Sequence, residues 1–247
     1  MSLIRHLPRA PTAAAFHGAG EGIVRHRHDD HQVIHVSSGV VALHTPDEAW
    51  VTGSDHAVWL PAGTWHEHRF YGDCVLRTVG FPSSSAPVPD QRPAVLVASP
   101  LLRQLLIAVT DPHLSAPEQR RLRGVITDQL RRADRSPLTL PAPSDPRLAA
   151  ACQQVLDELD RPMTLPSLAR AVGSTERTLA RLFRDELAMT YPQWRTRART
   201  LTATVLLAEG HSVTDTATTC GWATTSSFIE AFRRVTGSTP GTHRASS

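Results

Sequence analysis

The sequence predicts a protein of two domains: an N-terminal all-β barrel with following helices, and a C-terminal all-α domain with two helix-turn-helix units. Three observations support this. Short β-favouring runs alternate with turn residues between residues 23 and 81, a proline-rich stretch lies at residues 136–146, and one helical pattern then occurs twice. A chain of 247 residues is long enough for two domains that each bury a core.

The composition narrows the class of protein. The formal net charge of +3 permits an anionic partner, and all 26 basic residues are arginine, which suits contacts to phosphates and guanine. The three cysteines are far apart in the sequence, so neither a disulfide framework nor a thiolate metal site is predicted. No stretch approaches the ~18 apolar residues of a membrane span, and no signal peptide is predicted. We therefore expect a soluble, cytoplasmic protein with no membrane partner.

The first 135 residues are expected to form one domain. Runs such as "QVIHVSSGVVALH" and "CVLRTVGF" favour an antiparallel sandwich or barrel. Helical patterns follow, with apolar residues on one face of each segment: Leu101, Leu102, Leu105, Leu106 and Val109 in the first, and Leu122, Ile126 and Leu130 in the second. Two hypotheses stay open for these faces, a homodimer surface or core packing against the barrel.

Residues 136–146 are predicted to be a linker, and residues 147–247 a helical domain. Within it, "TLPSLARAVGSTERTLARLFRDEL" predicts a short helix that ends at Gly173. Ser174 is positioned to cap a second helix, which buries Leu179 and Phe183. Two short helices joined by a glycine-containing turn form a helix-turn-helix.

The same pattern recurs 48 residues later, where Ala217 and Gly221 repeat Ala169 and Gly173. The segment between the two copies, "YPQWRTRARTLTATVLLAEG", is itself helical in pattern. A rigid connecting helix can hold two recognition helices in successive major-groove segments about 34 Å apart. The alternative is an ordinary helical bundle.

Residues 147–244 resemble the DNA-binding domain of AraC/XylS-type transcription regulators. The matching residues are Leu168-Ala169 with Gly173, Arg177-Thr178-Leu179, Arg181-Leu182-Phe183, Val213 with Ala217, Gly221-Trp222, Ser227-Phe228, Phe232-Arg233 and the ending "TGSTPGTHR". The resemblance implies binding to double-stranded operator DNA, with RNA polymerase as a further candidate partner. The expected homodimer rests on the apolar helix faces of the N-terminal domain.

The resemblance also implies which residues contact DNA. The groove-facing residues would be Arg177, Ala180 and Arg181 on the first recognition helix, and Thr225, Ser226, Ile229 and Glu230 on the second. Phosphate contacts are expected from Arg195, Arg197, Arg199, Arg233 and Arg234, unless these arginines only solvate a helix face. Each arginine of the first helix can make a bidentate contact to guanine, which discriminates between bases by ~1–3 kcal/mol. The acidic Glu230 departs from the family, which often has a longer polar or basic residue there.

Ten of the thirteen histidines lie in the first 70 residues. Two pairs, His26-x-His28 and His66-x-His68, have a spacing that projects both imidazoles to the same side of a strand. This pattern resembles the cupin motifs, which imply one divalent metal held by His26, His28, Gln32 and His66. Cupins usually have glutamate where this chain has Gln32, so His68 or His31 could substitute. Imidazole ligands suit Zn, Fe, Ni or Cu without selecting among them.

The alternative to a metal site is a pocket in which the histidines bind a ligand directly. Its expected apolar lining is Val36, Leu43, Trp59 and Trp65. The N-terminal region as a whole resembles the cupin-like sensor domain that many AraC-type regulators carry.

Two functions follow from these patterns. The first is a sequence-specific transcription regulator whose cupin-like domain senses a small molecule or a metal. The second is a cupin-type metalloenzyme fused to a helical domain. We expect no enzyme activity, because no Asp, Glu or Tyr is placed as a general base beside the four metal ligands.

Overall fold

The computed structural model describes residues 5–46, 48–89, 91–136 and 140–243. Part of the predicted linker, residues 137–139, and the last residues of the predicted helical domain, 244–247, lie outside them. The described residues form two compact units, one made mainly of residues 5–136 and the other mainly of residues 140–243. Among the described helices, none is both long and apolar enough to span a membrane.

The N-terminal unit is a β-sheet domain followed by two helices. Its strands are β1 (Arg5–Leu7), β2 (Ala13–His17), β3 (Gly22–His28), β4 (His31–His44), β5 (Glu48–Thr52), β6 (His56–Leu60), β7 (His66–Phe81) and β8 (Ala94–Val97). Its helices are α1 (Pro100–Ala108) and α2 (Ala116–Arg132). The predicted fold class, a β domain with helices behind it, is confirmed.

The longest strands, β4 and β7, pair with each other in antiparallel register from His31 opposite Phe81 to His44 opposite Glu67. Strand β7 also pairs with β2 and β3, while β6 joins β4 to β8. Strand β1 pairs in parallel with β3. Strands β4 and β7 therefore organise the sheet.

Both faces of β4 are buried, which explains its nearly unbroken apolar sequence. On the inner face, Ile34 and Val36 pack with Phe70 of β7 in one apolar cluster. On the outer face, Val33 packs with Val79 and with the helices in a second cluster. Side chains alternate along a strand, so the sheet faces an inner core on one side and helices α1 and α2 on the other.

The apolar helix faces identified in the sequence are part of the outer core. The buried residues are Leu102, Leu106 and Val109 at α1, and Ile126 and Leu130 of α2. Helices with one apolar stripe pack that stripe against a core. Core packing is therefore the correct hypothesis for these residues, and they are unavailable as a dimer surface. The large apolar side chains that the described parts of α1 and α2 expose are Leu101 and Val125.

The C-terminal unit is helical apart from one two-residue strand. Its elements are β9 (Leu140–Pro141), α3 (Pro146–Asp157), α4 (Leu165–Ala171), α5 (Glu176–Leu187), α6 (Tyr191–Ala208), α7 (Val213–Thr219), α8 (Thr225–Thr236) and a 3₁₀ turn (Pro240–His243). Helices α4 with α5 and α7 with α8 are the two predicted helix-turn-helix units. The long helix α6 connects them, as predicted.

The turn of the first unit differs by one residue from the sequence prediction. Gly173 has a φ of +64° and the amide of Ser174 donates to the carbonyl of Ala169 at 2.8 Å, so Ser174 closes helix α4. Thr175, not Ser174, caps α5, because its hydroxyl accepts from the amide of Thr178 at 3.1 Å.

Truncation of a core residue on α1 should destabilise the N-terminal unit far more than truncation of an exposed one. Leu106 is 0% exposed and Leu101 is 52% exposed. We expect Leu106→Ala to lower the free energy of unfolding by about 2–5 kcal/mol, because it leaves a cavity between helix and sheet. Leu101→Ala, the matched control on the same helix, should change it by less than about 1 kcal/mol. Urea unfolding followed by tryptophan fluorescence measures both, and equal losses would contradict the assignment of α1 to the core.

Candidate metal centre and nucleic-acid interface

Histidines from β3 and β7 meet inside the N-terminal unit. His26 of β3 lies opposite His66 of β7 in the strand register, and the ring centroids are 4.2 Å apart. His68, two residues along β7, lies on the same side of the strand. The nitrogen atoms that His26, His66 and His68 offer lie within 4.8 Å of one another, and all three side chains are buried. This triad could bind a metal ion.

Backbone carbonyls orient two of the three imidazoles. The Nδ1 atom of His26 donates to the carbonyl of Val24 at 2.9 Å, and that of His66 donates to the carbonyl of Thr64 at 2.9 Å. Donation from Nδ1 leaves Nε2 with the lone pair, which is how a second-shell acceptor prepares a histidine for a metal. Among the described residues, no hydrogen-bond partner reaches Nε2 of His66 or either ring nitrogen of His68.

Burial keeps the histidines neutral. Desolvation lowers the pKa of His66 to about 3 and the pKa of His68 well below its ordinary value. Desolvation also lowers the pKa of His26. Neutral imidazole is the form that binds a metal, so protons do not compete for the triad at neutral pH.

The two other predicted ligands, His28 and Gln32, are not part of the triad. The His28 ring lies 5.0 Å from the His26 ring and 5.5 Å from the His66 ring, and its Nδ1 donates to the carbonyl of Arg9. Gln32 has the strand parity of Ile34, which faces the inner core. Within the described part of the chain, Nε2 of His28 and Oε1 of Gln32 are buried without hydrogen-bond partners.

Both ring nitrogens of His31, the suggested substitute ligand, form hydrogen bonds within the chain. Its Nδ1 accepts from the amide of Ala62 at 2.9 Å, and its Nε2 donates to the carbonyl of Ser83 at 3.2 Å. The ring also stacks on Trp59. The sequence signal for His68 as the third member of the triad is the His-x-His spacing on β7, because this spacing puts His66 and His68 on the same side of the strand.

The expected apolar pocket lining takes other roles. Val36 and Leu43 pack in the inner core, and Trp59 packs in the outer core. Trp65 lies under the guanidinium groups of Arg25 and Arg27, at 5.6 and 5.0 Å from its ring centroid. A cavity of about 380 Å³ instead opens near His68, and its lining includes the charged residues Glu21, Glu67 and Arg69.

The first recognition helix, α5, separates a core face from an exposed face. Leu179, Leu182 and Phe183 are buried, whereas Arg177 and Arg181 are exposed one helical turn apart. Arg181 forms an ion pair with Asp185 at 3.1 Å, and Ala180 is half-buried between the two arginines. Such an exposed ion pair contributes at most about 1 kcal/mol to stability. Its loss on contact with a DNA base would therefore cost little.

The second recognition helix, α8, buries Phe228 and Phe232. The predicted contact residues occupy the other side: Ser226, Ile229 and Glu230 are exposed, Thr225 is half-buried, and Arg233 and Arg234 are exposed. Glu230 pairs with Arg234 one turn later. The acidic charge on this helix is thus partly balanced within the helix.

The arginines of α6 have hydrogen bonds within the chain. Arg195 donates to the carbonyls of Leu159 and Arg161, and Arg199 donates to the carbonyl of Leu159. Arg197 is half-buried, and desolvation lowers its pKa. No local pattern in the sequence predicts these carbonyl contacts, because the acceptors lie more than thirty residues away.

Comparisons with known proteins agree with this architecture. The family model "AraC-like ligand binding domain" matches residues 11–190, and the model "Helix-turn-helix domain" matches residues 168–246. The HTH-type transcriptional regulator NimR of Escherichia coli (strain K12) is 28% identical over 223 residues, which are 89% of this chain and 81% of that protein. The HTH-type transcriptional regulator RipA of Corynebacterium glutamicum is 41% identical over 110 residues, 44% of this chain and 33% of that protein.

Among solved structures, the DNA-binding domain of AdpA in complex with a target DNA is 32% identical, with a TM-score of 0.38. The match covers 41% of this chain and 91% of that one. The hypothesis of a metalloenzyme fused to a helical domain is not supported, because the matching family consists of transcription regulators, not enzymes. With the ligand-binding model over more than half its length and the helix-turn-helix model at its C-terminal end, this chain belongs to the AraC family of DNA-binding transcription regulators.

Proposed function

We propose that this regulator reads an operator with both recognition helices, and that a small molecule or metal bound in the N-terminal unit controls the outcome. The observation that carries the proposal is the repeated geometry of α4–α5 and α7–α8 on the two sides of one connecting helix. An effector changes DNA binding only if it binds differently to two conformations of the protein. The place of action would be the cytoplasm, where operator DNA and RNA polymerase are available.

On the first recognition helix, Arg177 and Arg181 would contact guanine bases. Both arginines are exposed and lie on the side of α5 opposite its buried Leu179. On the second helix, the short side chains of Thr225 and Ser226 and the apolar Ile229 suit contacts to several bases, including the methyl group of thymine. Arg197, Arg233 and Arg234 would contact phosphates.

Loss of one base-reading arginine should affect specific binding more than nonspecific binding. We expect Arg181→Ala to weaken binding to a selected operator by ~1–3 kcal/mol, with little change for random DNA. Arg233→Ala, the control for a phosphate contact, should weaken both and reduce the salt slope by about one. Fluorescence anisotropy at several salt concentrations measures these quantities. Equal operator affinity for wild type and Arg181→Ala would remove the role of Arg181.

In the N-terminal unit, we infer a single divalent metal held by His26, His66 and His68. The support is a buried donor set of imidazoles that are neutral at pH 7, two of them oriented by backbone carbonyls. His28 and Gln32 are further donors, since each has a buried, unpartnered atom among the described residues. A metal with three protein ligands keeps coordination positions for an effector. The neighbouring cavity beside His68 would admit that effector.

Removal of one triad histidine should remove the metal. We expect protein purified without chelator to hold up to one Zn, Fe, Ni or Cu ion per chain. His26→Ala, His66→Ala and His68→Ala should each weaken binding by more than about 100-fold, because even second-shell losses cost 10- to 100-fold. His113→Ala, at an exposed position in the turn between α1 and α2, is the control. Elemental analysis and titration with Zn²⁺ measure occupancy and affinity.

Gln32 and the regulatory role need separate measurements. Gln32→Glu should tighten metal binding if the side chain reaches the ion, because a carboxylate is a stronger ligand for a divalent cation than an amide. Unchanged affinity would place Gln32 outside the ligand set. If wild type binds none of the four metals, the histidines bind an effector directly. If operator affinity is the same with metal and with chelator, the metal is structural.

We also propose that the N-terminal unit forms a homodimer through the exposed side of α1 and α2, where Leu101 and Val125 lie. Exposed apolar side chains on neighbouring helices suit an interface between two copies. The double variant Leu101→Arg/Val125→Arg should shift the mass from dimer to monomer in light scattering. A monomeric wild type at high micromolar concentration would contradict the proposal. The control, Gln104→Arg, adds charge at another exposed position of α1.

A further inference from the structure

The DNA-binding unit has two separate apolar cores. The first lies among α3, α4 and α5, and the second lies between α7 and α8. Helix α6 contributes to both, with Trp194 and Ala198 in the first core and Ala203 and Leu207 in the second. Each helix-turn-helix unit is therefore attached to a different half of one helix.

The part of the unit that contains α3, α4 and α5 also contacts the part that contains α7 and α8 directly, at the turn between α7 and α8. Gly221 in this turn has a φ of +74°, which suits glycine. A Cβ atom at Gly221 would lie 2.5 Å from the carbonyl oxygen of Leu159 and 2.8 Å from Cα of Asp160, both in the segment after α3. Only glycine permits so close an approach between the two backbones.

One side chain of α6 bridges the same place. The Nε and Nη2 atoms of Arg199 donate to the carbonyl of Leu159 at 3.3 and 3.1 Å. The guanidinium group lies over the ring of Trp222, at 5.4 Å from its centroid. The N–H donors of Arg199 thus bind Leu159, after α3, while the face of its guanidinium group contacts Trp222, in the turn between α7 and α8. A lysine cannot do both, because it has neither the planar group nor the fork of donors.

We propose that Arg199 and Gly221 are positioning residues, which fix the orientation of the second recognition helix relative to the first. A connecting helix alone can bend, and a small bend of α6 displaces the attached recognition helices by a larger distance. A second attachment beside the helix, at Leu159, removes that freedom. We call the contacts of Arg199 and Gly221 with Leu159 the joint. The role that we assign to the joint rests on the proposed function, in which both recognition helices bind one operator.

The first test measures the geometry without DNA. Spin labels are attached to cysteines introduced at Arg184 of α5 and Arg233 of α8, both exposed, in the full chain. The native cysteines are buried, and desolvation raises the pKa of Cys152 and Cys220 to about 12, so they react poorly. Double electron–electron resonance then gives the distribution of distances between the two labels.

We expect a single narrow distribution for the otherwise wild-type chain, and a broader or displaced one for Arg199→Lys and Gly221→Ala. Arg170→Lys makes the same chemical change at an exposed position of α4 and is the control, with no change expected. Arg199→Lys keeps the charge and the stem, and circular dichroism checks that it keeps its helices. A folded Arg199→Lys with the wild-type distribution would overturn the proposal.

The second test uses DNA selected from a random library by the wild-type full chain. Insertion of one base pair between the two contacted elements moves the second element by about 3.4 Å and rotates it around the duplex. We expect wild type to lose about tenfold in affinity on this insertion, as for a mismatched base pair, and Arg199→Lys to lose less than about threefold. Equal losses for both proteins count against the joint. If wild type selects no sequence, the proposed operator reading fails, while the label distances still test the joint.

Discussion

The pairing of β4 with β7 is the constraint on which the N-terminal unit depends. Its register fixes which side chains of both strands face inward, so Phe70 and the triad histidines of β7 enter the inner core while Val79 meets the helices. A shift of one residue would exchange the two faces. The two apolar cores and the packing of α1 and α2 follow from this register, and the pairing of β3 with β7 then brings His26 to His66.

The inner core carries a cost that the outer core does not. A buried polar atom without a partner costs roughly 1–3 kcal/mol, and within the described residues His68 alone has two such atoms. Apolar side chains of similar size at these positions would pack without that cost. A metal or effector bound at the proposed site would offset this cost.

The DNA-binding unit contains two groups of arginines with different surroundings. Arg177 and Arg181 are exposed, and the ion pair of Arg181 with Asp185 is weak, so they are free to bind a base at little cost. Arg195 and Arg199 instead satisfy backbone carbonyls after α3, where no helix amide reaches. In our proposal the same residue type serves recognition on α5, and on α6 it holds backbone carbonyls of a neighbouring segment.

The sequence alone determined the features that depend on local spacing. The two helix-turn-helix units, the core positions of α5 and α8, and the shared side of His66 and His68 follow from periods of 3.6 and 2.0 residues. Tertiary structure decided what depends on partners distant in the chain: His31 is held by Ala62 and Ser83, α1 and α2 bury their apolar stripes against β4, and Arg199 binds Leu159. Periodicity tells which side of an element a residue occupies. It does not tell what covers that side, because the covering atoms are brought there by the packing of the whole domain.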